Sequence, residues 1–108
     1  MLYLYPVMEK VMKKYIVTFY LPEVLDLSFW KILPEHRKYI NKLMDNDVIL
    51  TYGVNAERSK GWVVFNAATE EEVKSYIENF PIHDMITCEI EELFIFDSMI
   101  GVPRLEMN

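Results

Sequence analysis

Strands with apolar side chains on both faces restrict most strongly how this chain can fold. In the segment 14–21, KYIVTFYL, one face holds Tyr15, Val17, Phe19 and Leu21, and the other holds Ile16, Thr18 and Tyr20. Successive side chains of a strand point to opposite faces, so neither face of this strand is polar. Antiparallel sheets commonly keep one face packed and one face wet. The pattern therefore predicts a sheet that is covered on both sides.

Three further segments have the β-branched and aromatic composition of strands, at 48–54, 61–67 and 86–96. The polar stretch 55–60, NAERSK, joins the second strand to the third and predicts a hairpin turn. By simple alternation, the second strand places Val48, Leu50, Tyr52 and Val54 opposite Ile49 and Thr51.

A first helix covers at least 34–46, because apolar residues recur there at helical spacing. Its start has two interpretations. Ser28 can cap a helix that begins at Phe29 and contains Pro34, which would kink it. Alternatively, a turn precedes a helix that has Pro34 in its first position. The sequence leaves both interpretations open.

A second helix is marked by a capping box, in which Thr69 caps the first turn and Glu72 reaches back from the third helical position. Apolar residues follow at helical spacing from Val73 to Phe80, and Pro81 ends the helix.

The resulting order, β-α-β-β-α-β, predicts an α+β fold of the ferredoxin-like kind, a four-stranded antiparallel sheet with both helices on one face. We expect one domain over 13–97, an N-terminal extension over 1–12 and a C-terminal tail over 98–108. A second copy of the sheet, packed about 10 Å away, would cover the free face and make the protein a homo-oligomer. Alternatively, the C-terminal tail of the same chain would cover this face.

Charge and composition exclude several classes of function. A net charge of −6 argues against nucleic acid and anionic membrane surfaces as partners. The single cysteine, Cys88, cannot form an internal disulfide, which favours a cytoplasmic location. No apolar run has the length of a membrane span. No phosphate-binding loop and no metal-ligand spacing stands out, so we expect no cofactor and no metal.

The run WVVFNAATEEEVKSYIENFP, with LPEHRKYINKLMDNDVILTYGV and EIEELFIFD, resembles the dimeric α/β-barrel superfamily, and within it the muconolactone-isomerase-like family. The resemblance covers about residues 13–97. It implies two sheets that form a barrel between two subunits, and in muconolactone isomerases such barrels assemble into larger rings. It also implies isomerase or lyase-type proton transfer on a small carbonyl or lactone compound. The alternative is a non-catalytic oligomeric or ligand-binding domain.

His36 and Glu91 are the candidate catalytic residues. His36 matches a helix histidine of the YCII-like proteins, which the chain resembles more distantly, and a neutral imidazole there could act as acid or base. It could equally be a core histidine bonded to a backbone carbonyl. Glu91 could point into a barrel cavity as a base, or simply keep an edge strand from pairing further. His83 and Asp84, adjacent in a loop, are a weaker pair.

Four residues are candidate ligand contacts. Arg58, in the hairpin turn, could clamp a carboxylate with its planar guanidinium, or could be solvated. Tyr20, Tyr52 and Trp62 have polar tips on strands, so they could line an apolar pocket with a few hydrogen-bonding points. Packing in the core or at an interface is the other explanation.

Overall fold

A computed structural model of the protein describes residues 11–98. The predicted extension and tail therefore lie almost wholly outside the described residues. Within this range the elements, in chain order, are β1 (Lys13–Tyr20), α1 (Leu27–Asp45), β2 (Ile49–Val54), β3 (Lys60–Ala67), α2 (Glu70–Glu78), a 3-10 turn (His83–Met85) and β4 (Thr87–Leu93). None of the helices in residues 11–98 is long and apolar enough to cross a membrane.

The four strands form one antiparallel sheet in the order β2-β3-β1-β4. This arrangement confirms the predicted α+β class and four-stranded sheet, and it is compatible with a ferredoxin-like fold. Tyr15 of β1 pairs with Phe65 of β3 on one side and with Glu92 of β4 on the other. Paired residues share a face, so this register defines which side chains the helices cover.

The core lies between the helices and one face of the sheet. That face contributes Tyr15, Val17 and Phe19 from β1 and Val63, Phe65 and Ala67 from β3. The helices contribute Ile40, Leu43, Val73 and Ile77. All ten are at most 6% exposed, so each strand buries alternate residues under α1 and α2.

The opposite face of the sheet, here called the outer face, is apolar at its centre. It holds Ile16 and Thr18 of β1, Trp62 and Val64 of β3, and Leu93 of β4. Towards the β4 edge it becomes polar, because Glu89 and Glu91 project from the same face and are exposed. The apolar strip therefore follows the middle of the sheet.

The structure rules out one of the two interpretations of where α1 begins, and it corrects the capping residue of the other. The helix contains Pro34, so the interpretation that begins the helix there is wrong. The cap is Asp26 rather than Ser28: an oxygen of the Asp26 carboxylate accepts from the Phe29 amide at 3.1 Å. The Ser28 hydroxyl instead donates to the same carboxylate at 2.6 Å. A carboxylate is the stronger acceptor, so it takes the amide and the hydroxyl supports it.

A β-bulge in β2 overturns the simple alternation expected there. Ile49 pairs with Phe65 and Tyr52 pairs with Val63, and the register shifts between Ile49 and Thr51. Because a bulge inserts one extra residue, Ile49 and Tyr52 both point towards the helices. Tyr52 therefore lies on the helix side of the sheet.

The last strand is shorter than the predicted 86–96. Its pairing with β1 ends where Lys14 meets Leu93, because β1 begins only one residue earlier, at Lys13. Phe94 follows the strand and is 99% exposed.

Candidate functional site

A cavity of about 290 Å³ lies between the first half of α1, the end of β2 and the β2–β3 hairpin, and we call it the α1 cavity. Its wall is mostly aliphatic and aromatic: it is lined by Phe19, Leu21, Leu25, Phe29, Trp30, Leu33, Arg37, Tyr52, Val54, Arg58 and Ile82. The volume is close to the lower limit for ligand pockets, about 300 Å³. A few polar groups in an otherwise apolar cavity are typical of a small-molecule site.

His36 supports Tyr52 from within the core. The imidazole is completely buried, and its Nε2 lies 3.0 Å from the Tyr52 hydroxyl oxygen. The Phe80 ring packs edge-on at a centroid distance of 5.2 Å from His36. This contact fixes the position of the Tyr52 side chain at the cavity wall.

Burial keeps both members of this pair neutral. It lowers the pKa of His36 to about 4, and the nearby charge of Arg37 lowers it further in the same direction. Burial also raises the pKa of Tyr52 to about 12, against the opposing effect of Arg37. At neutral pH the contact is therefore a hydrogen bond between an uncharged imidazole and a phenol.

The other ring nitrogen indicates the tautomer. His36 Nδ1 is buried and has no hydrogen-bond partner in the described part of the chain. A buried N–H without a partner is rarer than an acceptor without one. We therefore assign the proton to Nε2, which donates to the Tyr52 oxygen and leaves the Tyr52 O–H available as a donor.

The two pKa values also decide what Tyr52 can do. Burial lowers the pKa of His36 and raises the pKa of Tyr52, so transfer of the phenol proton to His36 is unfavourable. Tyr52 is therefore suited to act as a neutral hydrogen-bond donor rather than as a base activated by His36.

Arg58 and Trp30 stand together at the cavity. The Arg58 guanidinium carbon lies 5.8 Å above the centre of the Trp30 ring. The Trp30 indole N–H is itself held by the carbonyl of Leu25 at 3.0 Å. A guanidinium on an indole face is a favourable cation–π arrangement.

The sheet divides the predicted site residues into two groups. His36, Tyr52 and Arg58 lie on the helix side, at or just behind the α1 cavity. Glu91, Trp62 and Tyr20 belong to the other side. One chain consequently does not bring His36 and Glu91 into a common site.

The outer group makes contacts of its own. The Tyr20 hydroxyl donates to Glu89 at 2.6 Å, and the Lys60 ammonium lies 5.5 Å from the centre of the Trp62 ring.

His83 and Asp84 form an exposed contact at 3.3 Å, and neither lines the cavity. Within residues 11–98, no group of three or more His, Cys, Asp and Glu side chains is placed to hold a metal ion.

Sequence reasoning missed Arg37 and the aromatic wall of the cavity. One signal was available: Trp30, Leu33 and Arg37 follow one another at helical spacing, so they form a face of α1. That face adjoins the core face of Ile40 and Leu43, since Leu33 and Ile40 are seven residues apart, and it continues the cavity wall.

The polar groups of the site are therefore few and definable: the hydroxyl of Tyr52 and the guanidiniums of Arg37 and Arg58, in a wall that is otherwise apolar. Comparisons with known proteins add no family to this description, because no protein-family model and no curated protein sequence matches the chain.

Proposed function

We propose that this protein binds a small apolar carbonyl compound in the α1 cavity and that the Tyr52 hydroxyl donates a hydrogen bond to the carbonyl oxygen. The observation that carries the proposal is the Tyr52 phenol at the apolar cavity wall, held by a completely buried His36 at 3.0 Å. A buried donor gains most from an acceptor that the ligand supplies.

Proton transfer next to that carbonyl, as an isomerase or lyase step, is the second candidate function. Arg37 favours it, because its charge reaches the Tyr52 oxygen and would also stabilise negative charge that develops on a bound carbonyl oxygen. The resemblance to the muconolactone-isomerase-like family points to the same chemistry. Among the described residues that line the cavity, however, none is a carboxylate, so binding is the better supported function.

Binding and turnover can be tested in one experiment. Small cyclic enones and lactones would be added to the protein in deuterium oxide, and proton NMR would follow both complex formation and loss of the protons next to the carbonyl. We expect complexes with a subset of these compounds, and weaker ones for Tyr52→Phe. Accelerated exchange that Tyr52→Phe abolishes would support catalysis as well.

Tyr39→Phe is the matched control, because it removes a phenol hydroxyl that bonds the Tyr76 carbonyl at 3.4 Å, away from the cavity wall. If the compounds bind but their protons next to the carbonyl do not exchange faster, the protein is a ligand-binding domain and the isomerase proposal is wrong. If no carbonyl compound binds, or if Tyr52→Phe and Tyr39→Phe bind equally well, the proposed function is wrong.

We further propose that the protein is a homodimer in which two sheets pack through their outer faces as an α/β barrel. The support is the apolar strip along the middle of the face that the helices do not cover, where Ile16 and Trp62 are partly exposed and Val64 is only 5% exposed. Burying the exposed parts of Ile16 and Trp62 in a dimer would gain roughly 25 cal/mol per Å² of apolar area.

Light scattering at micromolar concentration would test the dimer. We expect twice the mass of the chain for the wild type and a shift towards the monomer for Trp62→Glu. Val24→Glu is the control, because Val24 is 75% exposed and lies before α1, off the sheet. A monomeric wild type would contradict the barrel.

A further inference from the structure

Two guanidiniums share the α1 cavity with a wall that is otherwise aliphatic or aromatic, apart from the Tyr52 hydroxyl. Arg37 reaches it from α1, and Arg58 reaches it from the β2–β3 hairpin. Their placement on separate elements points to something that binds between or beside them.

Neither guanidinium has a carboxylate within 4.0 Å in the described part of the chain, where the ion pairs include Lys13 with Glu92 and Lys74 with Glu70 and Glu71. This is notable in a chain with 17 acidic residues and 11 lysines and arginines. Both arginines are exposed, so water reaches their guanidiniums, and the carboxylate of a ligand can reach them as well. The cavity thus offers positive charge that the described residues do not neutralise.

The hairpin holds Arg58 in an unfavourable backbone conformation. Its φ is 59°, in the left-handed region that side chains other than glycine rarely adopt. The turn enforces it: the Arg58 amide donates to the Asn55 carbonyl at 3.0 Å, and the Asn55 side chain accepts from the Ser59 and Lys60 amides at 2.9 and 3.1 Å. Such strain concentrates at sites that bind ligands.

We propose that Arg37 and Arg58 form an anion subsite of the α1 cavity, and that its ligand is a small apolar carboxylate; this inference rests on the proposed small-molecule binding. The apolar part of the ligand would occupy the cavity, and the Trp30 ring beneath Arg58 would contact it near the charged end. A guanidinium fork matches the plane of a carboxylate with two parallel hydrogen bonds. A phosphate carries more charge and more acceptors than this largely apolar wall can satisfy.

The test compares phenylacetate with its uncharged amide, phenylacetamide, and with phenyl phosphate. The two tryptophans report binding in a proton–nitrogen NMR spectrum: the indole signal of Trp30 lies at the cavity, and that of Trp62 lies on the outer face as an internal control. We expect phenylacetate to shift the Trp30 signal and to bind at least about tenfold more tightly than the amide.

Arg37→Gln and Arg58→Gln should each weaken phenylacetate binding about tenfold and leave amide binding unchanged. Lys38→Gln is the control, because it removes one positive charge from an exposed position next to Arg37 that does not line the cavity. If an arginine variant does not fold, the comparison of phenylacetate with phenylacetamide on the wild type still tests the anion subsite.

Each other outcome has a definite meaning. Equal affinity for acid and amide, or arginine variants that behave like Lys38→Gln, would overturn the anion subsite and leave small-molecule binding intact. Tighter binding of phenyl phosphate would overturn the choice of a carboxylate. If neither phenylacetate, its amide nor any carbonyl compound binds, the proposed function itself fails.

Discussion

His36 Nε2 lies 3.0 Å from the hydroxyl oxygen of Tyr52, although the two residues belong to different elements and are 16 positions apart. The contact joins the buried side of α1 to the bulged strand β2. A change at either residue should therefore affect both the stability of the core and the Tyr52 hydroxyl of the α1 cavity. The first effect can be measured by unfolding and the second by ligand binding.

Removing both partners of this hydrogen bond should cost less than the sum of the two single changes. Tyr52→Phe leaves the His36 donor buried and unpaired, so we expect a loss of about 1–3 kcal/mol in the free energy of unfolding. His36→Leu should cost a comparable amount. The double variant should lose less than the sum, because no orphaned donor remains. Urea unfolding gives all three values, and simple additivity would show that the pair contributes nothing.

The burial of His36 should make stability depend on pH. Its folded pKa of about 4 lies below the ordinary 6.5, so the unfolded chain takes up the proton first as pH falls. The contribution is complete above pH 6.5, is lost as pH falls towards 4, and amounts to up to about 3 kcal/mol. The difference in unfolding free energy between wild type and His36→Leu should change over this window.

His83→Gln is the control for this measurement, because it removes the other histidine, which is exposed. It should retain the pH dependence that His36→Leu loses. A constant difference between wild type and His36→Leu from pH 6.5 to pH 4 would contradict the assignment.

Arg58→Gly should separate stability from binding. Glycine removes the left-handed strain, worth about 1 kcal/mol, while loss of the cation–π contact with Trp30 costs about 0.5 kcal/mol. We therefore expect stability equal to or slightly above wild type, with weaker binding of phenylacetate. Asp47→Gly is the matched control, because Asp47 also has a φ of 59° and does not line the cavity. A marked destabilisation by Arg58→Gly alone would reveal a structural role for the arginine.

Gly61 should not tolerate a methyl group. A Cβ atom there would lie 2.5 Å from the carbonyl oxygen of Gly53 and still closer to the Phe19 ring. We expect Gly61→Ala to cost about 1–3 kcal/mol or more. It should also disturb the cavity, because Phe19 lines it and stacks on Tyr52 at a centroid distance of 5.8 Å.

Gly53→Ala is the companion variant, because a Cβ atom at Gly53 would meet nothing within 4 Å. Thermal unfolding should show a clear loss for Gly61→Ala and little change for Gly53→Ala. An equally small loss for both variants would mean that the Phe19 ring and the Gly53 carbonyl can both move aside.

Local patterns in the sequence were sufficient for the class and order of the elements. The predicted cap at Thr69 is formed, with the hydroxyl accepting from the Glu72 amide at 3.2 Å. The Glu72 carboxylate reaches back one residue further than a capping box requires, and accepts from the Ala68 amide at 3.4 Å. The alternation in β1 correctly placed Tyr15, Val17 and Phe19 on one face and Ile16, Thr18 and Tyr20 on the other. These features depend on neighbours a few positions apart, so a single segment contains the information.

The details of the site depended on contacts that no single segment contains. The β2 bulge arises from pairing with β3, and it turns Tyr52 towards His36 instead of towards Trp62. The grouping of Arg37 with Arg58 requires α1 to lie beside a hairpin that is 21 residues further along the chain.

The amino-acid sequence by itself therefore determined an α+β domain with a sheet that is apolar on both sides, because side-chain periodicity is a local property of helices and strands. Tertiary structure alone decided that the sheet separates His36 from Glu91 and that Tyr52 and the two arginines meet at one apolar cavity. The physical reason is register: a one-residue shift in strand pairing moves a side chain from one face of the sheet to the other.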